Sequence, residues 1–304
     1  MKRIILVFIL FCNYAAIAQQ DPLFTQYMFN KLLVNPAYAG SRDAFTVDMV
    51  NRSQWVNIDG APETFTFSAH TAIRNKNVGW GLYVYRDILG PTNNQGLMGT
   101  YSYRIYLNKS SLAFGLQFGL KYFDFDWAAM NLKDADYLFD PQEVRRFTPD
   151  ANVGIYYQSN RMFFGISSKQ LLQNDYGYAK KDGRSSFSKL TRHFYMMGGL
   201  ATPLADKIIF RPSIMTKYTP NAPLQIDFNA SVLFSNVFWI GASYRTGNAI
   251  SFLTEFKIAD RLKLGYSFDL YINELQPFNY GSHEIRLGFD FPLYAERMKT
   301  PRYF

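Results

Sequence analysis

The chain has 304 residues, a formal charge of +8, a single cysteine and an aromatic content of 18%, with 28 Phe and 22 Tyr. Its cations are scattered among acids rather than massed in runs, so nucleic acid is not an expected partner. A mean hydropathy of −0.16 alongside so many aromatics suits strands with one apolar and one polar face, and no stretch beyond the leader is long and apolar enough for a spanning helix.

Residues 1–18 read as a secretory signal peptide. Lys2 and Arg3 supply the positive end, Ile4 to Phe11 the apolar run, and Ala16-Ile17-Ala18 the small residues of a cleavage site, with cleavage predicted after Ala18. A lipoprotein signal at Cys12 would need a small residue in front of the cysteine, where Phe11 stands. Cleavage removes Cys12, so the mature chain has no disulfide and no thiolate. An exported chain without such a staple is either soluble in the periplasm or crosses an outer membrane as a β-barrel, the remaining spanning solution.

Residues 19–43 come before any regular alternation. Asp21 is placed to cap a helix with Pro22 at its first position. Phe24, Tyr27, Met28, Lys31 and Leu32 recur at three- and four-residue intervals. Asn35-Pro36 stops the run, because a residue before proline avoids the helical region. The expectation is about three turns of helix followed by a turn from Asn35 to Gly40. It lies across the periplasmic mouth or in the lumen, either as a plug or as a docking site for periplasmic machinery.

From residue 44 to 293 the signal is period two. Phe65, Phe67 and Ala69 face away from Thr64, Thr66 and Ser68; Val78, Trp80, Leu82 and Val84 oppose Gly79, Gly81, Tyr83 and Tyr85. Leu112 to Leu120 alternates with Ala113, Gly115, Gln117, Gly119 and Lys121, and Ile285, Leu287, Phe289 and Phe291 alternate with Glu284, Arg286, Gly288 and Asp290. Marking every run predicts strands near 44–52, 62–74, 77–86, 94–107, 111–124, 150–158, 162–169, 192–202, 207–218, 224–234, 237–245, 249–258, 262–270 and 284–293. Every second link is a tight turn, and most of the others are long, including Ser53 to Ala61, Asp87 to Asn93, Phe125 to Pro149, Gln170 to Thr191 and Tyr271 to His283. A soluble sandwich has no reason to sort its links by parity, whereas outer-membrane barrels keep periplasmic turns short. The chain therefore reads as all-β, an antiparallel transmembrane outer-membrane β-barrel of about 14 strands, with residues 294–304 as a short tail. Arg86, Arg104, Lys121, Arg211, Arg245, Asp269 and Arg286 are expected to face the lumen.

Chemistry-bearing patterns are sparse. His70, His193 and His283 belong to no HExxH or zinc spacing, and no metal or cofactor is expected. Ser282 and His283 suggest a nucleophile–base pair, but neighbours on a strand point to opposite faces, and no enzymatic activity is expected. The acidic link from Phe125 to Pro149 lacks the spacing of a calcium loop; it is a solvated loop or a docking surface.

The opening motif, QDPLFTQYMFNKLLVNPAYAG at residues 20–40, resembles the start of the PorP/SprF family, outer-membrane proteins of the type IX secretion system in Bacteroidetes. Further likenesses follow in order: Arg52-Ser-Gln-Trp55, Gly60-Ala-Pro62, Tyr101-Ser-Tyr-Arg104, Pro149 to Tyr157, Arg192-His193, Arg211-Pro-Ser213, Trp239 to Arg245, Leu264 to Asp269 and Gly281-Ser-His-Glu284. They cover residues 20–293, with small departures at Thr25, where the family favours serine, and Phe194, where tyrosine is common. The resemblance implies a Gram-negative outer-membrane component that supports export and surface anchoring of one large adhesin-like protein through that protein's type B C-terminal domain. It also implies links to gliding motility, to a periplasmic peptidoglycan-binding protein and to secretion-motor proteins, with outer-membrane lipid as the surroundings. The alternative is a channel for a small solute. Asp21, Pro22, Phe24, Gln26, Tyr27, Met28, Phe29, Asn30, Asn35, Pro36, Tyr38 and Gly40 are the candidate plug or docking residues. Gln54, Trp55, Gly281, Ser282, His283 and Glu284 form a candidate partner-contact rim.

Overall fold

The structure, a computed structural model, describes residues 22–42, 44–73, 76–126, 144–174, 190–259 and 261–293. The signal segment with Ala18, the cap position Asp21 and the tail 294–304 lie outside the described residues, as does most of the acidic link. Fourteen antiparallel strands form one closed sheet: β1 (Ala44–Ser53), β2 (Glu63–Ala72), β3 (Val78–Leu89), β4 (Thr92–Leu107), β5 (Ser110–Phe125), β6 (Val144–Ser159) and β7 (Met162–Lys169). They continue as β8 (His193–Leu200, resumed after Ala201 by Thr202–Ala205), β9 (Ile208–Tyr218), β10 (Gln225–Phe234), β11 (Phe238–Arg245), β12 (Ala249–Lys257), β13 (Leu262–Tyr271) and β14 (Ser282–Pro292). Both parts of β8 pair with β9 in one register, which shifts only at the end of the second part, between Ile208 and Ile209. The barrel closes where β1 meets β14, from Ala44↔Pro292 to Ser53↔His283.

The alternation places the faces as the pattern requires. Phe65, Trp80, Leu116, Phe118 and Ile285 are exposed on the outer face, while Thr64, Thr66, Ser68, Gln117, Glu284 and Arg286 are buried inside. With no water in the hydrocarbon layer, closure leaves no strand edge unpaired there. Outward aromatics gather towards both ends: Phe45 with Phe291, Trp80 with Tyr101 and Phe238 with Phe256 at one, Tyr122 with Phe147 and Phe194 with Tyr218 at the other. Such girdles mark the two membrane interfaces.

Two strand boundaries differ from the sequence reading. The expected long link from Asp87 to Asn93 is a tight turn at Gly90-Pro91, because β3 and β4 pair out to Leu89↔Thr92; Gly90 adopts φ +53° there. Likewise β6 starts at Val144 rather than near 150, with Pro149 lying opposite Leu120. Polar residues and a proline broke the alternation where the strands leave the membrane, since no lipid face needs to be kept apolar beyond the interface. Arg86 is a third correction. It shares parity with Trp80 and Leu82, stands exposed on the outer face and donates to Asn93.

The lumen is not empty. Residues 22–42 cross it lengthwise and contain much of the apolar core: Phe24, Tyr27, Met28, Phe29, Leu32, Leu33, Val34, Ala37, Tyr38 and Ala39 are all buried. Burying each large side chain of this kind contributes about 2 kcal/mol. Thr25 meets Arg52, Asp269 and Glu284 at the long-loop ends of β1, β13 and β14. Gly40 meets His70 and Arg104 towards the short-turn ends of β2 and β4. The segment thus runs from the long-loop end down to the short-turn rim, where β1 begins.

It is not the three-turn helix expected from its spacing. Residues 25–29 form a turn, followed by 3-10 turns at Lys31–Leu33 and Pro36–Tyr38. A helix satisfies its backbone internally, but here wall side chains take that role. Glu284 accepts the N–H groups of Thr25 and Gln26, His70 that of Gly40, and Ser167 and Ser102 donate to the carbonyls of Val34 and Ala39.

Candidate functional site: the lumenal segment and its seat

At the long-loop end the segment is fixed by charge. Arg52 and Glu284 are register partners across the closure, 3.0 Å apart, and Arg52 also pairs with Asp269 at 2.6 Å. The Glu284 carboxylate accepts from the backbone of Thr25 and Gln26 at 2.8 Å each, and the Thr25 hydroxyl donates to Asp269 at 2.7 Å. All three charged groups are buried, with both carboxylates on Arg52, the condition under which a buried ion cluster is held rather than penalised.

Further along the segment the contacts turn aromatic. The Arg211 guanidinium lies over Phe29 (4.9 Å) and Trp239 (4.1 Å), so a wall cation grips a ring of the segment. Lys31 points its ammonium at the rings of Phe163 (4.6 Å) and Tyr38 (5.3 Å) and donates to the Met28 carbonyl at 2.9 Å. Arg286 joins Asp48 and Glu255 in a second buried cluster beneath Phe29.

Asn35 ties the following stretch to the wall. Its Oδ1 caps the second 3-10 turn by accepting from Ala37, while its Nδ2 donates to the carbonyls of Ile155 and Ile166, at 2.9 and 3.2 Å. Those two residues face each other across β6 and β7, so one side chain ties two strands. At the exit, Arg104 donates to the carbonyls of Ala39 and Gly40. Arg42 reaches Tyr38, Phe29 and Asp290.

Glycines in the wall make the space. A Cβ at Gly79 would overlap Ala39, one at Gly115 would overlap Ala37, and one at Gly154 would overlap Asn35. At Gly265 it would overlap the Gln26 side chain. A glycine within a strand commonly marks the close approach of another backbone, and here that backbone belongs to the same chain. The alternation places Gly79 and Gly115 opposite the apolar face without saying why small residues are needed there. Arg42 was missed altogether.

The proposed rim divides. Ser282 is buried, accepts the Trp55 N–H and bonds the Tyr271 hydroxyl; Glu284 is buried in the ion cluster. Neither presents itself to a partner. His283 points to the outer face and bonds Tyr266, so Ser282 and His283 stand on opposite faces. Gln54 and Trp55 are half-buried, and the loop they begin pairs with 280–281 through Val56.

A closed antiparallel barrel with girdled outer face and filled lumen is an outer-membrane protein. The family described as "Type IX secretion system membrane protein PorP/SprF" matches residues 16–289, and the chain belongs to that family. No curated protein matches it. Among solved structures it is similar to the CymD monoaromatic hydrocarbon channel, at 10% identity and a TM-score of 0.52, over 92% of this chain and 96% of that one. Another is the Acinetobacter baumannii outer membrane protein Omp33, at 7% identity and a TM-score of 0.47, over 82% and 99%. At such identities the likeness to CymD shows the barrel fold alone.

Proposed function

We propose that this barrel is a plugged, non-conducting component of the type IX secretion system that supports export and cell-surface anchoring of one large adhesin-like substrate. The substrate is recognised through its type B C-terminal domain, and gliding motility is the process such an adhesin would serve. The observation that carries the reading is the lumenal segment. A family dedicated to secretion supplies the setting, and a lumen filled from Phe24 to Gly40 leaves a substrate to be held at the barrel's surface or loops rather than passed through it. The same observation weighs against a solute channel.

The motif residues Pro22 to Gly40 act as the plug. Their side chains are engaged with the wall, and only the Gly40–Arg42 end approaches the short-turn rim, so periplasmic peptidoglycan-binding or motor proteins would dock on the turns rather than on the motif. The test is affinity capture of the intact barrel from outer membrane in mild detergent. Recovery of a large secreted protein through its C-terminal domain supports the proposal; recovery of the barrel alone, with the adhesin still anchored in a strain lacking the barrel, overturns it.

A further inference from the structure

The two rims of the barrel differ in charge. At the long-loop rim, exposed Asp59, Glu63, Asp126 and Glu274 are matched by exposed Arg86, Arg145, Arg146 and Arg192. At the short-turn rim, among the described residues, Lys76, Lys109, Arg161, Lys207 and Arg261 are exposed and Asp206 is the one exposed acid. None of the five cations is in an ion pair with another described side chain. They stand on separate turns: between β2 and β3, β4 and β5, β6 and β7, β8 and β9, and β12 and β13. The β10–β11 turn, Ser235 to Val237, is the one fully described turn of this rim without a cation.

These charges sit directly beyond an aromatic belt. Phe45 and Phe291 are the second and penultimate residues of β1 and β14, Trp80 is the third of β3, and Phe238 and Phe256 stack near the same ends of β11 and β12 with centroids 4.3 Å apart. Aromatic residues of this kind mark the headgroup level. Cations one step further out lie where lipid phosphates are.

We propose that the short-turn rim is a ring of binding positions for anionic phospholipid headgroups of the inner leaflet, which fixes the height and tilt of the barrel from the periplasmic side. Charge complementarity alone would also suit an acidic protein. The distribution favours lipid: the cations are spread over five turns round the circumference rather than gathered on one arc, and lipid surrounds the whole barrel while a docked protein covers a sector. Among the described residues the surplus belongs to one rim only, so it is not a general property of their exposed surface. The inference does not depend on which substrate the protein serves.

The experiment compares wild type with the variant Lys76→Gln, Lys109→Gln, Arg161→Gln, Lys207→Gln and Arg261→Gln in vesicles of phosphatidylcholine alone and with a fraction of phosphatidylglycerol. Urea unfolding midpoints and phosphatidylglycerol retained in native mass spectra are the readouts. Arg86→Gln, Arg145→Gln and Arg192→Gln together serve as the opposite-rim control. Each neutralised cation is expected to weaken headgroup retention by about fivefold at low ionic strength. Wild type and control gain stability from phosphatidylglycerol, a gain that fades in high salt, while the five-site variant shows none and matches wild type in phosphatidylcholine. An equal gain in the five-site variant overturns the proposal, as does no gain in wild type. Loss of binding to an acidic periplasmic protein with the lipid response intact also overturns it and reassigns the rim.

Discussion

Arg52 and Glu284 are partners in the ladder that closes the barrel, and their buried ion pair also holds Thr25, which accepts from Arg52 through its hydroxyl at 3.2 Å and donates its N–H to Glu284 at 2.8 Å. Closure of the sheet and seating of the lumenal segment therefore share one set of charges. Glu284→Ala leaves a buried guanidinium short of a carboxylate and two segment N–H groups without an acceptor. The expected cost is about 3–5 kcal/mol, seen as a lowered urea midpoint in micelles. The triple variant Arg52→Met, Asp269→Leu, Glu284→Gln removes every charge of the cluster while keeping an acceptor for a segment N–H, and is expected to lose less than Glu284→Ala alone.

The segment's fit depends on missing side chains. Gly115→Val drives a branched Cβ into the Ala37 backbone, which cannot move without unseating Asn35 and Tyr38. Limited trypsin digestion is the check: wild type resists cleavage at Lys31 and Arg42, and the variant is cut there. Gly99 faces outward with 3.8 Å to the Phe118 carbonyl, so Gly99→Ala should leave the resistance unchanged.

Lys31 is held by the rings of Tyr38 and Phe163 and by the Met28 carbonyl, with no carboxylate in an ion pair with it among the described residues. Burying an ammonium without such a partner is costly. Lys31→Met, of similar volume, is expected to be neutral or stabilising near pH 7, whereas Lys31→Ala is expected to lose about 2–5 kcal/mol by opening a cavity between the two rings. Urea midpoints of the three proteins decide it, and an equal loss in both variants would contradict the account.

Asn35 reinforces the shortest ladder in the barrel. Pairing of β6 with β7 spans Val153↔Ser168 to Gln158↔Phe163, and beyond it the chain curls at Gln170, with φ +59°. Asn35→Ala is expected to cost about 1–3 kcal/mol by removing buried hydrogen bonds. Hydrogen exchange should rise first in β6 and β7 while β1 and β2 stay protected; uniform loosening would speak against a local tie.

Much of the barrel was legible because lipid imposes a simple rule on half the residues. Phe114, Leu116, Phe118 and Leu120 must be apolar and Ala113, Gln117 and Lys121 need not be, so strand positions survive even without strand edges. The rule lapses at Asp87 to Asn93 and at Pro149, and there the boundaries were misplaced. The lumenal segment was visible as a motif, but its conformation was not. Its apolar spacing suggests a helix, yet the hydrogen bonds that replace the helix come from Glu284, His70 and Ser167, far off in sequence. Of the ion clusters only Asp269 and Arg286 were expected as lumenal charges, Glu284 was expected at a partner-contact rim, and the pairing of Arg286 with both Asp48 and Glu255 depends on register that composition does not reveal.

The filled lumen is tested most directly by single-channel recording of the purified wild-type barrel in planar bilayers, beside a variant lacking residues 22–40. Wild type is predicted to pass almost no current while the deletion variant opens stable channels. Steady open-pore current from the intact wild-type protein would contradict the account.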